Sequence, residues 1–175
     1  MNNFKIYKVF YVDSIKVNAL GDLDRELGDE LRAFKRKNID FPIKIIESIS
    51  YYMKLDNKKF NCLLYIPSNR NNGIMDYFAN YISKEFNIKK YDFIKIKFNI
   101  KEQKYLETLS ERSENVKDAF FIINVEELKN KNILLIDDVY ASGETLKEII
   151  KLFKGFSFNY NLECLIFCYR NHIFY

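Results

Sequence analysis

The sequence predicts an α/β fold, a doubly wound and mainly parallel sheet, in one domain over residues 1–175. Three observations carry this expectation. Short apolar runs alternate with segments of helical periodicity, the pattern of parallel strands joined by right-handed crossovers. No internal repeat, low-complexity tract or linker interrupts the alternation. With 48% apolar and 30% charged residues in 175, the chain can bury a full core without disulfide or metal support.

The elements follow in order. "FKIYKVFYV" reads as a strand near the start, with "IKV" as its hairpin partner. Over residues 22–37 and 42–53, apolar residues recur at helical spacing: Leu23, Leu27, Leu31 and Phe34, then Ile45, Ile46 and Ile49. Pro42 suits a first helical turn. These parts make up about residues 1–55, and the remaining elements follow over about 60–170. "CLLYIP" is a continuous apolar run stopped by proline, a buried strand leading into a loop. "GIMDYFANYISKEF" is helical by the spacing of Met75, Phe78, Ile82 and Phe86, and "DFIKI" is the next strand. Residues 99–117 are polar and poorly periodic, the character of a lid or binding loop. "AFFII" and "ILLID" are strands, "TLKEIIKLFK" is a helix, and "LECLIFCY" is a last strand.

Composition excludes several function classes. No stretch approaches the roughly 20 apolar residues of a membrane span, and the N-terminus lacks a signal-peptide core. The three cysteines, Cys62, Cys164 and Cys168, sit in apolar runs, without a CxxC pair and with a single histidine in the chain. Zinc-ligand spacing is therefore absent, and a reduced, cytoplasmic chain is expected. Cys164 and Cys168, an even number of residues apart on one strand, are expected to share a face as packing residues, and His172 to be a surface residue. The net charge is +4, with one tight basic run from Arg32 through Lys35 and Arg36 to Lys37. That run reads either as a solvated helix face or as a patch for an anionic partner, nucleic acid included.

The segment with most chemistry is "ILLIDDVYASGETL". Ligands collect at the carboxyl ends of strands in open α/β sheets, where Asp137 and Asp138 fall. Neighbouring strand residues point to opposite faces, so the two carboxylates can grip different sides of one ligand. Gly143 lets the backbone turn closely, and the next helix aims unsatisfied N–H groups at the loop, a phosphate site. Acids for hydroxyls or metal beside amides for phosphate suit a phosphorylated sugar. The plainer account is also open: Thr145 and Glu148 match a capping box, and Ser142 with Gly143 match turn chemistry. A P-loop NTPase is excluded because no glycine offers GxxxxGK[ST]. A phosphoacceptor receiver domain is excluded because too little chain follows the acids.

The same segment resembles the phosphoribosyl-pyrophosphate (PRPP) motif of type I phosphoribosyltransferases: apolar strand, two acids, hydrophobic, any, Thr, Thr, Gly, any, Thr. Upstream, "QKYLETLSERSENVKDAFFI" resembles a segment of the ComF-type, competence-associated branch, with Gln, Leu-Ser, Arg, Asn-Val and Ala-Phe in that order. "YIPSNR" resembles the strand and loop opening that family's core, and "ELRAFKRK" is similar to its "fKy" stretch. Together the resemblance covers about residues 28–170.

The resemblance implies that Asp137 and Asp138 bind the ribose hydroxyls, and that Ala141, Ser142, Gly143, Glu144 and Thr145 wrap the 5′-phosphate. It makes Pro67, Ser68, Asn69 and Arg70 the pyrophosphate loop, with Arg70 as bidentate donor. Lys101, Gln103 and Arg112 fall in its mobile loop, and Arg112, Asp137 and Asp138 become the catalytic candidates, with a solvated loop charge as the other reading of Arg112. The resemblance makes about residues 60–170 the PRPP-binding core and about 1–55 a small N-terminal hood element. Mg2+ would arrive with the pyrophosphate, and the partners would be PRPP and a small-molecule acceptor under that hood, with a homodimer plausible by family likeness. The implied reaction, within nucleotide metabolism, displaces pyrophosphate from PRPP with a nucleobase or amine nitrogen. The alternative is a non-catalytic PRPP- or nucleotide-binding module, or an accessory of DNA uptake or processing. Three departures stand out: Ala141 replaces the first Thr, the N-terminal zinc cysteine cluster of many members is absent, and "PSNR" lacks the glycine of better-known pyrophosphate loops.

Overall fold

A computed structural model describes residues 5–55, 59–68, 73–97 and 108–171. The chain opens with an antiparallel hairpin, β1 (Lys8–Val12) and β2 (Ile15–Asp22), followed by α1 (Glu26–Lys35) and α2 (Ile43–Lys54). The core continues with β3 (Cys62–Tyr65), α3 (Ile74–Phe86), β4 (Ile94–Ile96), α4 (Leu109–Val116) and β5 (Phe120–Ile122). A 3-10 turn over Val125–Leu128 leads to β6 (Asn132–Tyr140), α5 (Glu144–Lys154) and β7 (Asn161–Tyr169).

The main sheet has the order β1-β2-β7-β6-β3, antiparallel only between β1 and β2. Beyond β3, Lys90 adds an isolated parallel bridge to Leu63. The mainly parallel α/β sheet expected from sequence is thus present, with helices on both faces. One apolar core lies under α1, α2 and α3, with Leu134, Ile136, Leu165 and Phe167 from the sheet. The other lies under α5, with Ile133, Leu135, Cys164 and Ile166. Helix α5 shows why its sequence was legible: Leu146, Ile149, Ile150 and Phe153 form one buried stripe.

The N-terminal helices are locked by polar contacts as well as by packing. A Cβ on Gly28 would lie 1.7 Å from the Leu23 carbonyl oxygen, so α1 approaches that loop as only glycine allows. Arg32 then donates to the same carbonyl at 2.8 Å. Helix α2 follows Pro42 without a side-chain cap of its own. Its first amides, from Lys44 and Ile45, instead donate to the Glu30 carboxylate at 3.0 and 2.8 Å, an acid placed at the positive end of the helix.

Three expectations are corrected. Strands β4 and β5 pair antiparallel with each other in a separate two-stranded sheet rather than joining the parallel ladder. The polar stretch holds α4, which starts at a capping box: Thr108 Oγ1 accepts from the Glu111 N–H at 3.1 Å, and the Glu111 carboxylate accepts from the Thr108 N–H at 3.0 Å. Finally, Cys164 and Cys168 lie in different cores. The ladders of β7 pass from Ile166 to Cys168 without a rung at Phe167, so Phe167 and Cys168 both turn toward the α1 side. Among the described residues, no helix is long and apolar enough to cross a membrane.

Candidate functional site

Chain direction defines the crevice. From β3 the chain crosses through α3 to the Lys90 bridge on one side, and from β6 it crosses through α5 to β7 on the other. Strands β3 and β6 are neighbours, so the order reverses between them, and ligands of open α/β sheets bind at the carboxyl end of such a switch point. The β3–β6 ladder ends at Tyr65 opposite Ile136, closed by the Ile66 N–H donating to the Ile136 carbonyl at 3.0 Å. Strand β6 runs four residues further along β7, to Tyr140 opposite Tyr169. Asp137 and Asp138 therefore sit where β6 has lost its β3 neighbour but keeps its β7 neighbour.

Alternation sends the two acids to opposite faces. Asp138 Oδ2 forms an ion pair with the ammonium of Lys35, from the last turn of α1. Asp137 Oδ1 accepts from the Asp138 N–H at 2.9 Å. Burial pushes the Asp137 carboxyl well above the usual carboxylate range, and the neighbouring Asp138 charge adds to the shift. The backbone N–H and the more distant Lys35 pull the other way without cancelling it.

Beyond Tyr140 the chain turns tightly into α5. Ala141 and Ser142 form the loop, and Gly143 starts α5 in the left-handed region at φ +79. A Cβ there would also lie 2.3 Å from the Tyr140 hydroxyl oxygen, so two independent constraints demand glycine. Glu144 and Thr145 occupy the first turn. The Thr145–Glu148 capping box does not form: α5 has no side-chain cap, and Glu148 instead accepts from the Asp118 N–H at 3.2 Å and pairs with Lys151. The first amides of α5 face the loop with no cap of their own, the arrangement that binds phosphate. Glu144 pairs with Lys147 at 2.8 Å.

On the β3 side, Pro67 and Ser68 follow the strand and line a cavity of about 270 Å³ with Tyr65, Gly73 and Lys95. Asn69, Arg70, Lys101, Gln103 and His172 lie outside the described residues. Arg112 is half-buried in the first turn of α4, which packs against α5. It belongs to a capped helix, and its neighbour α5 is the helix following the Gly143 turn.

Sequence reasoning missed two parts of this site. Lys35 stood in a basic run and in the stretch similar to the family's "fKy", but without a role, and nothing local marks its partner. Arg32 of the same run is spent on Leu23 and Asp29 within the chain. The other part is an aromatic ledge: Tyr140 stacks on Tyr169 at 5.5 Å, Phe10 meets both edge-on at 4.9 and 5.3 Å, and the Lys8 ammonium lies 4.0 Å from the Tyr169 ring centre. The thiols offer no nucleophile, since burial pushes Cys62 and Cys168 up to about 12 and Cys164 upward as well.

No curated protein matches the chain. A family model for the phosphoribosyl transferase domain matches residues 77–172, more than half of the chain. The match runs from within α3 past the end of β7, so it takes in β6 with its acids, the glycine turn and α5. The β6 and α5 side of the crevice thus falls within that match while β3 and Lys35 precede it, and the chain belongs to the phosphoribosyltransferase domain family, whose chemistry is phosphoribosyl transfer.

Proposed function

We propose that this chain is a ComF-type phosphoribosyltransferase that binds PRPP with Mg2+ and displaces its pyrophosphate with a nitrogen nucleophile, a nucleobase or an amine. The observation that carries the reading is the coincidence of the Asp137–Asp138 pair, the left-handed Gly143 turn and the uncapped start of α5 at one switch-point crevice. In this reading Asp137 and Asp138 accept the ribose hydroxyls, and the amides from Ala141 to Thr145 hold the 5′-phosphate. The Pro67–Arg70 loop takes the pyrophosphate from the opposite bank, with Arg112, Lys101 and Gln103 closing over it. The acceptor lies against the ledge of Phe10, Tyr140 and Tyr169, where a flat ring can stack.

The reaction breaks the bond from C1 of the ribose to the pyrophosphate oxygen, which keeps the electron pair, and forms a C1–N bond as the nitrogen loses its proton. Positive charge develops at C1, so positioning and charge stabilisation supply the catalysis. Two carboxylates at the crevice mouth fit Mg2+, which takes one or two protein carboxylates and completes its shell from substrate phosphates and water. Among the described residues no group of three or more His, Cys, Asp or Glu could hold a metal. When bound, Mg2+ neutralises charge on the leaving pyrophosphate.

Calorimetry with PRPP in the presence and absence of Mg2+, followed by a screen of nucleobases and amines for pyrophosphate release, tests the reading. Mg2+-dependent binding and acceptor-dependent release, both weakened in Asp138→Asn, are expected, with Arg112→Ala reducing release. Binding without release for every acceptor would mark a non-catalytic PRPP-binding module. Absence of Mg2+-dependent binding would overturn the assignment.

A further inference from the structure

We propose that Lys35 is a positioning residue of the sugar site, fixing the Asp138 carboxylate through its ion pair so that α1 forms part of the binding machinery. This inference rests on the PRPP reading of the crevice. Lys35 lies outside the residues the family model matches, so nothing in that match assigns it a role. The pair is only part-exposed: 31% of the lysine side chain and 20% of the aspartate side chain are accessible. An exposed pair of this kind contributes little and wanders among rotamers, whereas the lysine of this one rides on a helix locked in place.

The lysine end is fixed by its helix. Phe34, the preceding residue, is buried with its ring 4.9 Å from Tyr77 and 5.6 Å from Phe78. Phe78 in turn meets Phe167 of β7 at 4.6 Å, beside the level of Asp138. On the other flank, Arg32 is bound to the Leu23 carbonyl. Helix α1 therefore cannot slide along the sheet without breaking an aromatic chain and a hydrogen bond. At the aspartate end the Asp138 N–H donates to Asp137 Oδ1 and so orients the neighbouring acid, which leaves Lys35 as the group that orients the Asp138 carboxylate itself. Lys35 uses Oδ2, so Oδ1 is the oxygen left to accept a ribose hydroxyl. An ammonium at Oδ2 also answers the charge that two adjacent acids would otherwise leave against each other. Without it, Asp138 is free to rotate about its side-chain bonds.

The test measures PRPP affinity with Mg2+ in wild type, Lys35→Gln, Lys35→Arg, Asp138→Asn and Lys35→Gln/Asp138→Asn, alongside thermal melts of each. Loss of an outer partner that orients a binding group costs on the order of tenfold in affinity. Lys35→Gln is expected to lose about that much, Lys35→Arg to recover most of it, and the double variant to bind no more weakly than Asp138→Asn alone. A merely structural tether would lower the melting temperature and leave the affinity of the folded protein unchanged, and that result would overturn the inference. If Lys35→Gln fails to fold, Lys35→Arg decides alone: near wild-type affinity supports the role, and a tenfold loss despite a retained charge overturns it. If wild type itself binds no PRPP, the site reading falls first and this inference with it.

Discussion

Replacing Gly143 with alanine should be costly for two separable reasons, and the structure gives the size of each. At φ +79 the residue stands in the left-handed region, where an L side chain costs about 1–2 kcal/mol. The added Cβ would also lie 2.3 Å from the Tyr140 hydroxyl oxygen and 2.5 Å from the ring carbon that bears it. The ring must therefore move, and it is held by the stack on Tyr169 and the edge contact with Phe10. Such pairs are worth about 0.5–1.5 kcal/mol each, so displacement adds roughly 1–3 kcal/mol. The total is about 2–5 kcal/mol, a fall of roughly 4–20 °C in melting temperature for a chain of this length. Urea denaturation of Gly143→Ala in wild type and in Tyr140→Ala measures the two parts. In the Tyr140→Ala background the collision is gone, and the glycine change should cost only the backbone part of about 1–2 kcal/mol. Equal costs in the two backgrounds would refute the collision. A cost below about 0.5 kcal/mol in wild type would refute the left-handed turn itself.

Two further outcomes are expected. The Asp137 carboxyl is raised in the folded protein and ionises near 3.9 when unfolded, so wild type loses stability as pH climbs from about 4 toward the folded ionisation. Asp137→Asn, which keeps an acceptor for the Asp138 N–H, should match wild type at the acid end and exceed it increasingly toward neutral pH, and a pH-independent gap in thermal melts would contradict this. Thr108→Ala removes half of the capping box on α4, worth about 1 kcal/mol, and should speed amide exchange across Leu109–Val116 while leaving α5 unchanged. Equal exchange in both proteins would mean that the cap does not hold α4.

What the sequence carried well was local. The stripe of α5, the buried run of β6 and the glycine at its turn each express a constraint within a dozen residues, and the fold honours them. The capping box of α4 was equally local, with Thr108 and Glu111 at the right spacing, but the surrounding polarity hid it. Other features depended on neighbours far along the chain. Strand alternation placed Cys164 and Cys168 on one face, yet past Phe167, where neither neighbour pairs, Cys168 packs in the other core although the register is kept, and no pattern within β7 announces that turn. Strands β4 and β5 looked like members of a parallel ladder because short apolar runs do not encode their partners. Lys35 is the sharpest case: its run reads as solvent-facing until α1 is laid on the sheet and Asp138 is found beneath it.

That placement answers the puzzle of two adjacent acids ending a buried strand. Like charges side by side at the mouth of an apolar run are destabilising, and a fold keeps them only if something divides or neutralises them. Here the strand's own alternation divides them, an ammonium meets one, and a backbone N–H meets the other. The remedy is incomplete on the Asp137 side, where burial still disfavours the charge. In the proposed reading, ribose hydroxyls and a PRPP-borne cation supply what the fold leaves out, so the burial of Asp137 is a cost that the ligand offsets. Binding energy of this origin depends on a carboxyl being poorly solvated beforehand, and a more comfortable Asp137 would make a more stable protein and a weaker site.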